Sequence, residues 1–301
     1  MELINISDRC YYFKGAVNIG YVHHGDIGIL IDAGLDRSAT KKVLNILEEQ
    51  RLPLTHLFIT HAHADHYGGA AYLQKQRNVY TVAPMLEEAI LRNPVLEPIY
   101  LFQGNWPLAE MRNKFLEGEA MRVDEVMKEG TWDVEGLKIE SIALPGHSYY
   151  QLGYIIDGVL YAGDAFFGIE ALEKHKIPYI VDADETLRTL QRLLSLPTSR
   201  AVPGHGTYAE NAQSVIQENI AWHERVLASM EQIISNHADG LSQEQLIHEM
   251  CVRWEIETNL VSSWMLYRTA ITGYLSKLIK DGKALLSIER HSLWIRANQG
   301  I

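Results

Sequence analysis

Apolar and polar positions alternate loosely along YYFKGAVNIGYVHHG (residues 11–25), and GILIDAG (28–34) is a short β-rich run closed by glycine, so the chain is predicted to open with a sheet. RSATKKVLNILEEQR (37–51) has helical spacing, LTHLFIT (54–60) reads as a buried strand, HYGGAAYLQKQR (66–77) as a second helix and VYTVAP (79–84) as a further strand. Such alternation predicts an α/β layered architecture. From Gly130 strands return as TWDV, LKIESIAL, QLGYII and VLYAGD, with Glu135-Gly136 and Asp157-Gly158 as turns; Asp-Gly between apolar runs is a strong hairpin signal. DADETLRTLQRLLSL (182–196) places Leu187, Leu190 and Leu194 on one helical face, and RAVPGHG (200–206) predicts a last short strand running into a loop.

Between these two blocks, residues 84–130 carry Pro94, Pro98 and Pro107 among helical pieces, with Tyr100, Phe102, Trp106 and Phe115 interspersed. The segment is read as an insertion, either a lid or substrate wall or simply a cover for the core. After about Ala209 the pattern is helical, and residues 211–240 are expected to form a connecting helix, with HADG (237–240) as the boundary. Beyond it, Ser242 with Gln245 predicts a capping box opening SQEQLIHEMCVRW. A second helix is expected from about Trp264 to Lys280, and ALLSIE and SLWIRA as a hairpin around Arg290 and His291. Two helices and a terminal hairpin predict a winged-helix-like unit over 241–301, appended to a main domain over 1–210.

At 301 residues the chain can hold one large domain and a small appendage, each with a core. The formal charge of -11 disfavours a nucleic acid as the default partner, although one basic face can hide within an acidic total. Cys10 and Cys251 stand far apart without C-x-x-C spacing, which excludes a disulfide framework or a cysteine zinc cluster and predicts buried, reduced thiols. No run approaches a membrane span and the N-terminus lacks the basic then apolar order of a signal peptide, so a cytoplasmic location is expected, without a membrane partner.

The chemistry is concentrated in THAHADHYGG (60–69). His61 and His63, two apart on a loop after a strand, can both turn toward one point, whereas Asp65 and His66 are staggered from them and point to a second metal. Two ions need more ligands than this stretch supplies. His147 in LPGHS, Asp164 in YAGDA and His205 in VPGHG, each beside glycine at a strand end, supply them. A lone histidine at such a place is usually a structural hydrogen-bonder. The joint order HxHxDH, H, D, H, with all seven expected at strand-to-loop junctions, is hard to explain as core filling.

This pattern of THAHADHYGG, PGHS, GD and PGHG resembles the metallo-β-lactamase superfamily over roughly residues 1 to 210. The resemblance implies an α+β four-layer αβ/βα sandwich with metals at one edge of two packed sheets. Carried over by position, His61, His63 and His147 look like ligands of a first metal, Asp65, His66 and His205 those of a second, and Asp164 a bridging carboxylate. The cofactors implied are two divalent ions, zinc first, with iron or manganese as alternatives. Two such cations about 3.5 to 4 Å apart lower the pKa of a shared water, so a bridging hydroxide is the expected nucleophile and the second cation takes up developing charge. Asp65 and Asp164 are the expected catalytic carboxylates. Asp32 is either a support behind the ligands or a turn residue ending its strand. Tyr149, Phe167 and His175 are candidate substrate contacts, with Tyr150 and Phe166 lining the mouth or packing beneath it.

The leading expectation is a dinuclear metal-dependent hydrolase of a small ester-like or thioester-like metabolite. Aspartates stand where some penicillin-cleaving members have a cysteine ligand, and phenylalanines where lactone-opening members resemble the set but carry a tyrosine. The tail is similar in organisation to the β-lactamase-like protein 2 group, which implies single-strand RNA cleavage as an alternative; its charges nearly balance, so packing or homodimer formation is the simpler role. A mononuclear iron dioxygenase acting on persulfides is a further alternative, disfavoured by the second ligand set.

Overall fold

The computed structural model describes residues 1–289 and 291–298. The first half runs β1 (Glu2–Asn5), β2 (Cys10–Lys14), β3 (Ile19–His24), β4 (Ile27–Ile31), α1 (Arg37–Glu49), β5 (His56–Phe58), α2 (Ala64–Tyr67), α3 (Ala70–Gln76), β6 (Tyr80–Pro84), α4 (Glu87–Arg92), α5 (Leu96–Leu101) and β7 (Glu125–Met127). It continues with β8 (Gly130–Val134), β9 (Leu137–Ala143), β10 (Leu152–Ile156), β11 (Val159–Gly163), α6 (Ile169–His175), α7 (Ala183–Leu194) and β12 (Arg200–Pro203). The tail comprises α8 (Ala212–Asn236), β13 (Leu241–Ser242), α9 (Gln243–Arg253), α10 (Val261–Lys280), β14 (Ala284–Glu289) and β15 (Ser292–Ala297).

β1 to β7 form one sheet in sequence order, antiparallel up to β4 and parallel from β4 onward. β8 to β12 form the second, an antiparallel meander to which β12 adds in parallel beside β11. Alternation decides which faces meet. In β9, Leu137, Ile139 and Ser141 point inward while Lys138 and Glu140 face solvent. Val22, Ile29 and Phe58 of the first sheet share one buried cluster with Ile139, Tyr154 and Tyr161 of the second. Each fully buried aliphatic there stabilises by roughly 1.5 to 3 kcal/mol. Helices cover the outer faces: Val43, Leu44 and Leu47 of α1 and Leu73 of α3 on the first sheet, Leu190 and Leu193 of α7 with Ile216 and Ile220 of α8 on the second. The result is the expected four-layer αβ/βα sandwich. Asp36 and Asp182 start α1 and α7 by accepting two backbone N–H groups each, as capping aspartates do.

Several expectations change. The helix read over 66–77 is two pieces, because Gly68 and Gly69 press against the β4–α1 loop; a Cβ at Gly68 would lie 2.0 Å from the Leu35 carbonyl oxygen, and one at Gly69 1.8 Å from Thr40 Oγ1. The inward face of α7 is completed by Leu193 rather than Leu194, which is only half-buried. The end of segment 84–130 contributes β7, paired with β6, and so belongs to the first sheet. α10 begins three residues before Trp264, and only half of the capping box forms: Ser242 Oγ accepts from Gln245 N–H, while the Gln245 side chain turns to His237 and Glu249. Strands β1 and β13 are too short to announce themselves by alternation. Cys10 is buried, but Cys251 is half-buried, and both are free thiols.

In the tail β13, β15 and β14 form a small antiparallel sheet, in that order, over α9 and α10. Of the hairpin turn, His291 is left-handed and Arg290 lies outside the described residues. α8 has its first half in the core beneath the second sheet and its last half, from Val226 to Ile234, in the tail's own core. No helix among the described residues is long and apolar enough to cross a membrane.

Candidate metal centre

Parallel pairing of β4 with β5 and of β11 with β12 points their C-terminal ends to one rim of the sandwich, where strands of this kind leave room for a site. Asp32 follows β4, His61 and His63 follow β5, His147 follows β9, Asp164 follows β11 and His205 follows β12. Asp65 and His66 differ from expectation: they sit on the single helical turn α2, not on a loop. That turn places consecutive side chains about 100° apart, so both can reach the rim from one short segment. Close approach is permitted by Gly204, where a Cβ would fall 2.1 Å from Asp164 Oδ1 and 2.7 Å from His66 Cε1.

The seven side chains converge in three overlapping groups, His61 with His63 and His147, His61 with His66 and Asp164, and Asp65 with His66 and His205, their ligand atoms within 4.8 Å of one another in each. Asp164 lies between the sets: Oδ1 is 3.2 Å from His66 Nε2, and Oδ2 is 3.5 Å from His147 Nε2 and 3.4 Å from His205 Nε2. His147 Nε2 and His63 Nδ1 face each other at 2.9 Å, and His205 Nε2 lies 3.1 Å from Asp65 Oδ2.

Proton bookkeeping shows what the cluster lacks. Thr60 Oγ1 donates its one proton to Asp32 Oδ2 at 2.8 Å, so at 3.0 Å it must accept from His61 Nδ1–H. His66 Nδ1–H donates to Asp32 Oδ2 at 2.8 Å, His147 Nδ1–H to the Tyr179 carbonyl at 3.0 Å and His205 Nδ1–H to the Ala16 carbonyl at 3.1 Å. Each neutral ring is thereby fixed in the tautomer that turns an Nε2 lone pair to the centre. His61 Nε2, His66 Nε2 and Asp164 Oδ1 are all buried without a hydrogen bond. With the rings neutral these acceptors face one another with no donor between them, a positive charge at the centre offsets them, and imidazole with carboxylate suits zinc, iron or manganese.

Electrostatics agree. Burial pushes His61 well down, and His63 down to about 3, leaving both as neutral donors of a lone pair. Burial would also lower His66, but Asp164, Asp65 and Asp32 outweigh it and hold it well above the ordinary value. Burial alone would raise the Asp164 and Asp65 carboxyls; His205 and His66 beside Asp164, and His66 and His205 beside Asp65, hold both well below the carboxylate range. Positive charge is what this pocket of acids favours, and a metal ion would supply it.

A cavity of about 280 Å³ opens over these ligands. Phe115, Leu116, Phe167, Leu172, Tyr179 and Leu266 contribute walls, and no lysine or arginine lines it among the described residues. Phe167 sits as expected, its ring against His147 and His205, held by Asn219 bonding both its N–H and its carbonyl. His175 reaches the mouth from an exposed position. Tyr149 does not line the cavity; it is 45% exposed and stacks edge-on against Tyr100, because the Ser148–Tyr150 turn is pulled the other way. Phe166 packs beneath, in the core.

The residue that pulls that turn, Glu87, has no signal in the sequence. Its buried carboxylate accepts from Ala62 N–H (3.0 Å), Ser148 Oγ (2.8 Å) and Tyr150 N–H (2.9 Å), tying the His61 loop to the His147 loop. Asn18 does the same for the His205 loop, donating to the carbonyls of Pro203 and Gly206. Asp32 resolves as the support: it is left-handed, 2% exposed, and binds Thr60 and His66 as described.

Residues 12–205 match the family model described as Metallo-beta-lactamase superfamily. An atrochrysone carboxyl ACP thioesterase of Aspergillus fumigatus is 23% identical over 64% of this chain and 51% of its own length. A hydroxyacylglutathione hydrolase of Rhodopseudomonas palustris (strain BisB18) is 30% identical over 50% of this chain and 49% of its own. The chain thus spans about half the length of these curated relatives. Among solved structures, a beta-lactamase domain protein from Burkholderia ambifaria superposes with a TM-score of 0.74 at 15% identity, covering 98% of this chain and 93% of that one. A metallo-beta-lactamase family protein from Thermus thermophilus gives 0.72 at 18%, covering 93% of each, so the likeness in fold extends through the tail.

Proposed function

Because the chain belongs to the metallo-beta-lactamase superfamily, we propose that it is a metal-dependent hydrolase whose substrate is a small thioester with an uncharged, largely apolar acyl group. The observation that carries this reading is the cavity, which adjoins the ligand cluster on one side and is walled by apolar side chains without a lysine or arginine among its described lining. Two relatives whose names denote thioester hydrolysis add support.

His61, His63 and His147 would hold one divalent ion, Asp65, His66 and His205 a second, and Asp164 both, since its two oxygens face different histidines. Bound there, such ions act as Lewis acids on the carbonyl oxygen and make a water acidic enough to react near neutral pH. Asp65, at 30% exposure the most open of the acidic ligands, would orient that water. Phe167 and Leu172 would hold the acyl chain and exclude bulk water. The departing thiol has a pKa of about 8.5 and leaves as an anion, so no dedicated acid is required.

A second reading is favoured by the tail. Helix, strand, two helices and a hairpin, with strand order β13-β15-β14, can be read as a winged-helix-like arrangement, and on that reading the activity would be cleavage of single-stranded RNA. Against it, the cations of α10 are already engaged: Arg268 with Glu244, Lys277 with Asp184 and Asp281, and Lys280 with Asp182.

The test is metal analysis together with parallel assays on a thioester panel, by thiol trapping, and on single-stranded RNA. About two ions per chain and thioester turnover abolished by Asp164→Ala are expected. RNA cleavage lost in His66→Ala, with no thioester turnover, would replace this reading with the second. One iron with oxygen uptake would replace both.

A further inference from the structure

Glu97, on α5, is 3% exposed and lines the same cavity as the ligand cluster. Its Oε2 is buried without a hydrogen-bond partner, and no lysine or arginine pairs with it among the described residues. Leaving a carboxyl in this condition costs on the order of the stability of a lost hydrogen bond or more, a cost natural sequences accept chiefly where a ligand completes the site. A second buried polar atom without a hydrogen bond, the Tyr179 hydroxyl, belongs to another wall residue of the cavity. Glu97 and Tyr179 line the same cavity, and beside burial the Glu97 carboxyl contributes to holding the Tyr179 hydroxyl well above its ordinary value. Apart from the ligand cluster and His175, the other side chains lining the cavity, among them Leu116, Leu172 and Leu266, carry no polar atoms.

We propose that Glu97, with the Tyr179 hydroxyl, is a specificity-determining subsite that hydrogen-bonds a hydroxyl group on the acyl chain of the substrate. A hydroxyl fits where other groups do not. It can donate to a carboxylate, or both donate to and accept from a carboxylic acid, so the match holds in either protonation state. A carboxylate or phosphate at this subsite would meet the Glu97 carboxyl with no lysine or arginine among the lining residues, and a purely aliphatic chain would leave Oε2 and the tyrosine hydroxyl unbonded. The proposal rests on the hydrolase reading for the placement of the acyl chain, but not for the existence of the subsite.

The experiment compares matched N-acetylcysteamine thioesters, butyryl against its α-, β- and γ-hydroxylated forms, on the metal-loaded full chain. The best hydroxylated form is expected to exceed butyryl in kcat/KM by about tenfold or more, chiefly through KM. Glu97→Gln should retain most of that ratio, because the amide still donates and accepts; Glu97→Leu should bring it close to one. A ratio unchanged by Glu97→Leu overturns the proposal. Binding of the free acids is measured in parallel by calorimetry. If no thioester is turned over, tighter binding of a hydroxybutyrate than of butyrate, lost in Glu97→Leu, upholds the subsite while the hydrolase reading fails; equal binding of the acids overturns the subsite. Glu97→Leu should also raise the melting temperature of the metal-free protein, as expected when a buried carboxyl without a partner is replaced by an apolar side chain; a fall in both Glu97→Leu and Glu97→Gln would mark a structural residue and overturn the proposal.

Discussion

Replacing Asp32 tests how the ligand shell is held. The carboxylate accepts from Thr60 N–H, Thr60 Oγ1 and His66 Nδ1, each at 2.8 Å, and all three donors are at most 1% exposed. In Asp32→Asn the amide oxygen can keep the two donors that share Oδ2, but the amide N–H₂ then faces the N–H of Thr60. One charge-assisted bond lost and one donor left unpaired cost about 2 to 3 kcal/mol. Asp32→Ala strips all three donors and adds left-handed strain at φ 67, which aspartate and asparagine tolerate better than alanine. With allowance for relaxation, about 4 to 6 kcal/mol is expected, a large part of the total stability of a domain. Urea unfolding of metal-free protein measures both, as a drop in midpoint at constant m. In Asp32→Ala His66 also loses the partner that fixes its tautomer, so metal affinity should fall by about 10- to 100-fold there and by less in Asp32→Asn, which keeps that bond. A loss below about 1 kcal/mol in Asp32→Ala would refute the reasoning, since the three donors would then have found other acceptors.

Gly204→Ala should leave the fold nearly intact yet weaken metal binding by at least about tenfold, read by competition with a chromophoric chelator, because the new Cβ would displace Asp164 Oδ1. Burial, with Asp65 and Glu87 nearby, holds the Glu97 carboxyl well above its ordinary value. A raised carboxyl means that the folded state binds more protons than the unfolded one, so its contribution to stability is present below the unfolded pKa of about 4.3 and is lost as pH rises toward the folded one. Metal-free wild type should therefore lose stability relative to Glu97→Leu as pH increases from about 4 upward, and parallel curves of melting temperature against pH would contradict this. Leu266→Asp places a charge in the cavity wall and should lower kcat/KM for apolar thioesters by at least about tenfold with metal content unchanged.

Much of the ligand set can be read from sequence because its members are local: four lie within residues 61–66, and the other three stand next to glycines that end strands. The long helices and the two Asp-Gly and Glu-Gly hairpins are equally local, and Glu135, Gly136, Asp157 and Gly158 adopt the left-handed turns such pairs favour. What escapes is tertiary. Glu87 and Glu97 stand on short helices in a segment interrupted by prolines, and they resemble any exposed glutamate until folding carries one between two ligand loops and the other into the cavity. Tyr149 differs for the same reason: adjacency to His147 in sequence suggests a wall residue, but the turn held by Glu87 sends Tyr149 outward, and Tyr179, which carries no sequence signal, lines the cavity. Strands of two to four residues, β1, β7 and β13, carry too few positions for a period to appear.

The shared helix α8 has a consequence for how separable the two ends of this molecule are. Twenty-five residues of uninterrupted helix make a rod of about 37 Å whose ends are sealed into different interiors. From the far interior α10 returns to the rim that bears the ligand cluster, where Met265 packs with Leu101 and Leu116 and Leu266 closes one wall of the cavity. The tail is thus a roof truss rather than an outbuilding. Cutting the chain near residue 210 would expose the rim and strand half a helix in water, and heating the intact chain should melt rim and tail in one transition. Evolution, on this geometry, could widen or narrow the cavity by editing a segment far beyond the last candidate ligand in sequence.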